Sequence, residues 1–397
     1  MFTEKLLYTA LSKGCPFIHE TRLKAVLDVS MALRDGQNLS LSELGRSLKS
    51  SCDIKHRIKK VDRLEGNVKL HEELNNLYTG LSSFVFSYIS QNEQLPIVVD
   101  VCYMKDDREI QMLSAEVASK GRTIPLYRKV FKEGELKDQT QIFLYELSKC
   151  IPKGRTVIIV MDAGFYCDWF KTIESKGWFW VCRIRQGKSF KFLNSEDWLT
   201  VRKFIPNIKE KTTNHEQILL TRRHKFPCRL VTTRRLPKGR VLKDKRGNTN
   251  GLGACARYKN AAKEPWLLAT NLPDTKYKST EIVNLYAKRM QIEESFRDLK
   301  SHQFGLCARY IRTKCVHRWG VKMLLAAIVQ ITYWIIGVIG HSQGMQKLYQ
   351  ANTVKNKKVF SYFTLGKLII EHDGIQYISF DESLLAQLIQ KELSREW

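Results

Sequence analysis

Between Tyr286 and Lys300 the chain reads YAKRMQIEESFRDLK, with Glu293 set at helical intervals among cations and a phenol. At about 100° per residue, Tyr286, Arg289, Glu293, Arg297 and Lys300 fall within about 80° of one another, so a helix here carries one narrow polar stripe. Leu285, Ile292, Phe296 and Leu299 form the adjacent apolar face, while Lys288, Gln291, Ser295 and Asp298 lie opposite as the expected solvated side. A carboxylate among cations beside a buried face suits holding a metal ion and a phosphodiester together. The same spacing also fits an ordinary ladder of i±4 ion pairs joining Glu293 to Arg289 and Arg297, worth only tenths of a kcal/mol per pair.

Two further acids stand in expected strands. Asp100 interrupts the apolar run LPIVVDV, and Asp162 follows TVIIVM directly, ahead of Ala163 and Gly164. A carboxylate inside an apolar strand is costly unless it is compensated. Singly, Asp100 also fits a strand-end turn former and Asp162 a helix N-cap. Together with Glu293 they form a set that needs a cation to stay ionised, and hard divalent ions such as Mg²⁺, with Mn²⁺ as a substitute, take oxygen ligands. Such ions activate an attacking oxygen and stabilise a leaving one in phosphoryl transfer, with Arg289, Arg297 and Lys300 then holding phosphates.

The elements that position these acids follow from the patterning. Strands are expected at Leu95–Val101, Gln111–Ala118, Arg122–Phe131, Thr156–Met161 and Trp178–Arg185, with helices at Gln139–Cys150 and Trp169–Ser175. Three strands, helix, strand, helix, strand is the plan of an α/β ribonuclease-H-like mixed sheet with acids at strand ends. Residues 186–275 are basic and turn-rich, with strand candidates at Ile218–Thr221, Arg229–Thr233 and Trp266–Thr270, which suggests a β-rich insertion presenting a phosphate-contacting surface. Its cations run from Arg222 through Arg229 and Arg234 to Arg246, opposed only by Asp244.

The first 90 residues read as helical. Ser40 and Glu43 form a capping-box start to a short helix. A second follows from Ile54 to Leu64, with Ile54, Ile58, Val61 and Leu64 on one side and Lys55, His56, Arg57, Lys59, Lys60 and Arg63 around the rest. Two short helices, the second strongly basic, suggest a helix-turn-helix that meets DNA through Lys55, Arg57, Lys59 and Lys60, although a solvated face on a plain bundle has the same composition.

Lys and Arg number 66 against 40 Asp and Glu, leaving a net charge of +26. An excess of this size spread over several segments is the footprint of a nucleic-acid binder. A membrane surface would call for a basic amphipathic helix beside an apolar anchor, which is not the pattern here. Ten cysteines without CxxC spacing support neither a zinc site nor a redox motif, and MFTEKLLYTA lacks the apolar core of a signal sequence, so a reduced cytoplasmic protein is expected. Met323–Gly340 approaches membrane-span length but is interrupted by Gln330 and Thr332, which favours a buried helix.

The spacing Tyr286-x2-Arg289-x3-Glu293-x6-Lys300 resembles the YREK signature of the insertion-sequence-four family of DDE transposases. YAKRMQIEESFRDLK, AKEPWLLATNLP, VMDAGF, SLSELGRSL and HRIKKVDRLEGN are similar to the insertion-sequence-ten branch, and the likeness runs through nearly the whole chain. It implies cut-and-paste transposition: end nicking, hairpin formation, hairpin opening and strand transfer. Asp100, Asp162 and Glu293 match the catalytic, metal-holding triad. Tyr286, Arg289 and Lys300 match contacts to end DNA, and Trp266 matches an aromatic that stacks on a flipped base, although a core Trp on a strand is the plain alternative. The stretch after Asp100, VCYMKDDREI, is one residue shorter than the family's, which leaves the pairing of the second strand open and makes Asp106 and Asp107 decoys.

The implied partners are double-stranded DNA, as transposon ends and target, and a second copy of the chain in a homodimer; the implied setting is the bacterial cytoplasm at the nucleoid, with no membrane. The expected domains are a helical DNA-binding domain (1–90), a catalytic core in two parts (91–190 and 274–340), the β-rich insertion (191–273) and a C-terminal, dimer-forming part (341–397). Rival readings are a structure-specific nuclease of the same fold, which cuts without joining, and a catalytically silent DNA-binding regulator.

Overall fold

The structure, a computed structural model, describes residues 2–91, 94–119, 121–234, 264–302, 305–354 and 359–393. In chain order, helices α1 (Phe2–Gly14), α2 (Glu20–Gly36), α3 (Leu41–Ser47), α4 (Ile54–Glu65) and α5 (Val68–Phe86) precede strands β1 (Leu95–Tyr103), β2 (Ile110–Ala118) and β3 (Thr123–Lys132). Then come α6 (Leu136–Cys150), β4 (Val157–Met161), α7 (Cys167–Glu174), β5 (Phe179–Ile184), β6 (Ser189–Phe192), β7 (Leu199–Thr200), α8 (Val201–Phe204), β8 (Thr213–Leu220), β9 (Phe226–Thr233) and β10 (Trp266–Thr270). Helices α9 (Ser279–Ala287), α10 (Met290–Lys300), α11 (Val316–Ser342), α12 (Tyr362–Glu371) and α13 (Glu382–Leu393) complete the chain. Residues up to Val157 and from Arg289 onward form one compact unit, and Ile158–Lys288 forms a second.

In the first unit β1, β2 and β3 make an antiparallel meander in the order β3-β2-β1. The pairing left open by the sequence is settled: Ile97 faces Val117 and Asp100 faces Ser114. Around the meander lie helices that the apolar α11 organises. It is long and apolar enough to cross a membrane, but its most apolar window is entirely buried inside the protein. Each buried Leu or Ile there contributes roughly 1.5–3 kcal/mol. Three polar side chains on α11 are tied to other elements: Tyr333 Oη donates to Arg34 O at 2.6 Å, Trp334 Nε1 to Ser119 Oγ at 3.0 Å, and Lys322 Nζ to Leu39 O at 2.7 Å and to Glu65.

Helices α11 and α12 touch backbone to backbone. A Cβ added at Gly337 would run into the Tyr362 carbonyl, and one added at Gly366 into the Tyr333 carbonyl. Backbone cannot yield as a flexible side chain can, so Gly337→Ala is expected to destabilise the protein by about 1–3 kcal/mol, seen as a lower midpoint in thermal or urea unfolding.

Helix α3 begins where expected, but its capping box does not form. Ser40 makes no side-chain cap hydrogen bond, and Glu43 pairs with Arg46 one turn on. Gly45 lets α4 approach closely, since a Cβ there would lie 2.6 Å from Ile58 Cα. Ile54, expected on the buried side, is 49% exposed because it opens α4, a turn before the Ile58 crossing.

In the second unit the strand order is β4-β5-β10-β9-β8-β6-β7. β4 and β5 are parallel, while β5–β10, β10–β9, β9–β8, β8–β6 and β6–β7 are antiparallel. Three antiparallel strands, a helix, then parallel strands joined by a helix make a mixed α/β architecture whose element order is that of a ribonuclease-H-like core. The candidate strands at 218–221 and 229–233 are the ends of the longer β8 and β9.

Two of the expected phosphate-contacting cations have structural work instead. Arg229 is buried and donates to Asn214 Oδ1 at 2.8 Å, Tyr277 O at 2.9 Å and Ser279 Oγ at 3.1 Å. Arg234 donates to the Ile205 and Ile208 carbonyls, both at 3.2 Å. Arg222, Arg223 and Lys225 are exposed, and the basic run from 235 to 246 lies outside the described residues.

Candidate active site

The polar stripe is not on one helix. Tyr286 lies in the last turn of α9, and Arg289 precedes α10 across the two-residue turn Lys288–Arg289. There the Lys288 N–H bonds to Leu285 O at 3.2 Å and the Ile292 N–H to Arg289 O at 3.2 Å, both three residues back. This tighter winding replaces the four-residue ladder, so a uniform 100° projection fails across it.

In the first unit Asp100, on β1, has a side chain 15% exposed. Its Oδ1 accepts the Val101 N–H at 2.8 Å, and its Oδ2 accepts Arg289 Nη1 at 2.9 Å. The other guanidinium nitrogen, Nη2, donates to Glu293 Oε1, whose side chain is 44% exposed. One guanidinium, only 6% exposed, thus joins two carboxylates.

The expected ladder is therefore half right: Arg289 pairs with Glu293, whereas Arg297 turns to Glu294. Lys300 Nζ donates to Tyr103 O at 2.8 Å, at the end of the strand that carries Asp100. Asp106 and Asp107 pair with Arg309 and Lys105, outside this cluster.

The face of α10 expected in solvent is an anchor. Ser295 and Asp298 are each 2% exposed. Ser295 Oγ accepts the Thr123 N–H at 2.9 Å and lies 2.8 Å from the Thr123 hydroxyl. Thr123 also donates to Glu116, which the fully buried Arg128 clasps at 2.7 Å. Arg122 pairs with Asp298, whose carboxyl is raised by burial against the opposing pull of that guanidinium. These contacts fix the helix carrying Glu293 to strands β2 and β3, and β2 pairs with the strand carrying Asp100.

In the second unit Asp162 follows β4 and is 20% exposed. Its Oδ1 accepts the Tyr286 hydroxyl at 3.0 Å and its Oδ2 accepts Arg185 Nη2 at 3.2 Å. It is not a helix N-cap, since α7 starts from Tyr166. Tyr286 is buried and meets the half-buried Trp266 edge to face, with ring centroids 4.9 Å apart. Trp266 thus packs against Tyr286 at the margin of the core.

Arg185 was not anticipated. Parallel pairing sets Met161 opposite Cys182, so the carboxyl ends of β4 and β5 lie side by side, and residues just beyond two such ends are candidates for contact. Burial pulls the Lys288 ammonium down from 10.5 to about 7. For a lysine lowered on folding, the charged native form is disfavoured, so stability is reduced below the folded value and recovers as pH rises toward the unfolded one. Lys288→Met should therefore raise the melting temperature most below pH about 7, with the gain shrinking toward pH 10.5.

Of the cations on α4, Lys55, Lys59, Lys60 and Arg63 are exposed. Lys60 Nζ lies 3.3 Å from Ser50 Oγ. Arg57 donates to Leu48 O at 2.9 Å, satisfying a carbonyl at the end of α3 instead of facing outward.

Among the described residues no three His, Cys, Asp or Glu side chains gather as a metal cluster. Asp100 and Glu293 nonetheless fit a hard divalent ion in chemistry, for they offer only oxygen donors and already share one cation, the Arg289 guanidinium. No curated protein matches the chain. Residues 135–328, just under half of the chain, match the family model described as a transposase DDE domain, a stretch that carries Asp162 and Glu293, and this match supports a DDE transposase.

Proposed function

We propose that the protein is a DNA transposase of the insertion-sequence-four family, in its insertion-sequence-ten branch, moving its element by cut and paste. The observation that carries the reading is the pairing of Asp100 and Glu293 through Arg289, which lies 189 positions from Asp100 in sequence. In this reading Asp162 is the third carboxylate, with Tyr286 and Arg185 orienting it. Asp100, Asp162 and Glu293 would hold Mg²⁺ or Mn²⁺, which when bound would supply Lewis-acid activation of the attacking oxygen and charge neutralisation at phosphorus.

The chain's own residues position the reactants. Arg289, Arg297 and Lys300 hold backbone phosphates, and Trp266 offers an aromatic face to a base. One site serves nicking, hairpin formation, hairpin opening and strand transfer because each is an in-line attack on phosphorus, dominated by positioning and charge stabilisation. The N-terminal helices serve as the end-binding domain and the C-terminal helices as the dimer-forming part, in the bacterial cytoplasm at the nucleoid.

Exposed cations on α4 carry the duplex contact, with Lys55 and Lys59 acting directly. Lys59→Ala is expected to weaken duplex binding and to lower its salt dependence by about one released counterion, read from the slope of log affinity against log salt. The activity itself is tested by incubating the full chain and Mg²⁺ with labelled DNA carrying the inverted ends that flank its gene. Nicks, then hairpins, then joined products support a transposase. Nicks alone indicate a nuclease, and binding without cleavage a regulator.

A further inference from the structure

We propose that Arg289 is an exchangeable counter-ion: without DNA its guanidinium bridges Asp100 and Glu293 in competition with a divalent cation, and cation loading releases it to a DNA phosphate. This rests on the functional reading above. The side chain is 6% exposed and donates one nitrogen to each acid, at 2.9 Å from Asp100 Oδ2 on one side and to Glu293 Oε1 on the other. A guanidinium stays charged at every physiological pH, so deprotonation offers no escape when a second cation arrives at the same oxygens. It must be supplied with another anion, and its planar fork suits phosphate as well as carboxylate.

The other cations of α10 are placed differently. Arg297 pairs with Glu294 at the surface, and Lys300 reaches the Tyr103 carbonyl. Among the described ion pairs, those of Arg289 alone engage both acids. Metal and DNA are then thermodynamically linked, each strengthening the other's binding by the same factor. The protein alone holds its carboxylates neutralised and loads the ion when DNA offers phosphate to the arginine.

The test measures Mn²⁺ binding to the full chain by electron paramagnetic resonance, with and without duplex DNA. Arg289→Gln should bind Mn²⁺ about tenfold more tightly than wild type in the absence of DNA, and DNA should tighten binding to wild type but not to the variant. Equal or weaker binding by Arg289→Gln overturns the exchange. If that variant does not fold, Arg289→Lys keeps the charge without the fork: tighter Mn²⁺ binding supports the proposal, and unchanged binding overturns it. Asp100→Asn separates this from the functional reading. Loss of Mn²⁺ binding in Asp100→Asn without any effect of Arg289→Gln removes only the exchange, whereas Mn²⁺ binding that ignores Asp100→Asn removes the metal site and the exchange together.

Discussion

Asp162→Asn is expected to lower strand cleavage by roughly a thousandfold, the several kcal/mol that metal-assisted charge stabilisation contributes, while DNA binding and melting temperature stay close to wild type. Asparagine keeps the shape and an acceptor oxygen, so the Tyr286 hydroxyl retains its 3.0 Å partner. Arg185 loses an ionic partner, but its side chain is 48% exposed and an ion pair at such a surface contributes little to stability. What asparagine cannot supply is the negative charge that holds a divalent ion. Cleavage of labelled ends, run beside a mobility-shift assay, separates the two effects. Cleavage within a few-fold of wild type would sink the assignment of Asp162 to the chemistry.

Much of the fold was legible because the strands carrying the acids are apolar runs of an unambiguous kind. LPIVVDV became β1 with Asp100 inside it, and TVIIVM became β4 with Asp162 just beyond. The turn at Lys288–Arg289 was not legible. No Gly or Pro marks it, and helical periodicity continues through it, while the change lies in hydrogen bonds shortened by one residue.

Ser295 and Asp298 were misplaced for a different reason. A polar residue on a helix signals solvent unless a polar partner meets it from elsewhere, and their partners Thr123 and Arg122 stand 172 and 176 positions upstream. Arg229 and Arg57 illustrate the same limit, as cations whose carbonyl acceptors only the fold brings near. Sequence spacing singled out Asp100, Glu293 and Arg289, which the fold brings together, but it gave no sign that Arg289 holds Asp100.

The largest expected loss of stability comes from Glu116→Ala. The side chains of Glu116 and Arg128 are both 0% exposed, paired at 2.7 Å, with Ser114 Oγ donating to the carboxylate at 2.6 Å and Thr123 completing the shell. Removing the acid strands a guanidinium that cannot deprotonate, a loss of about 3–5 kcal/mol for a broken buried pair. The midpoint of chemical unfolding should fall accordingly. The double variant Glu116→Leu with Arg128→Met should recover most of the loss, because two apolar groups leave no charge unpaired. If Glu116→Ala unfolds like wild type, the pair is not holding the hairpin.

The same variants bear on the site. Thr123 belongs both to this network and to the Ser295 contact that anchors α10. Stability restored by the apolar pair without restored cleavage would show that the network orients Glu293 as well as filling the interior. Full recovery of both would confine it to packing, and Asp298 with Arg122 would then be the anchor that sets the distance between Glu293 and Asp100.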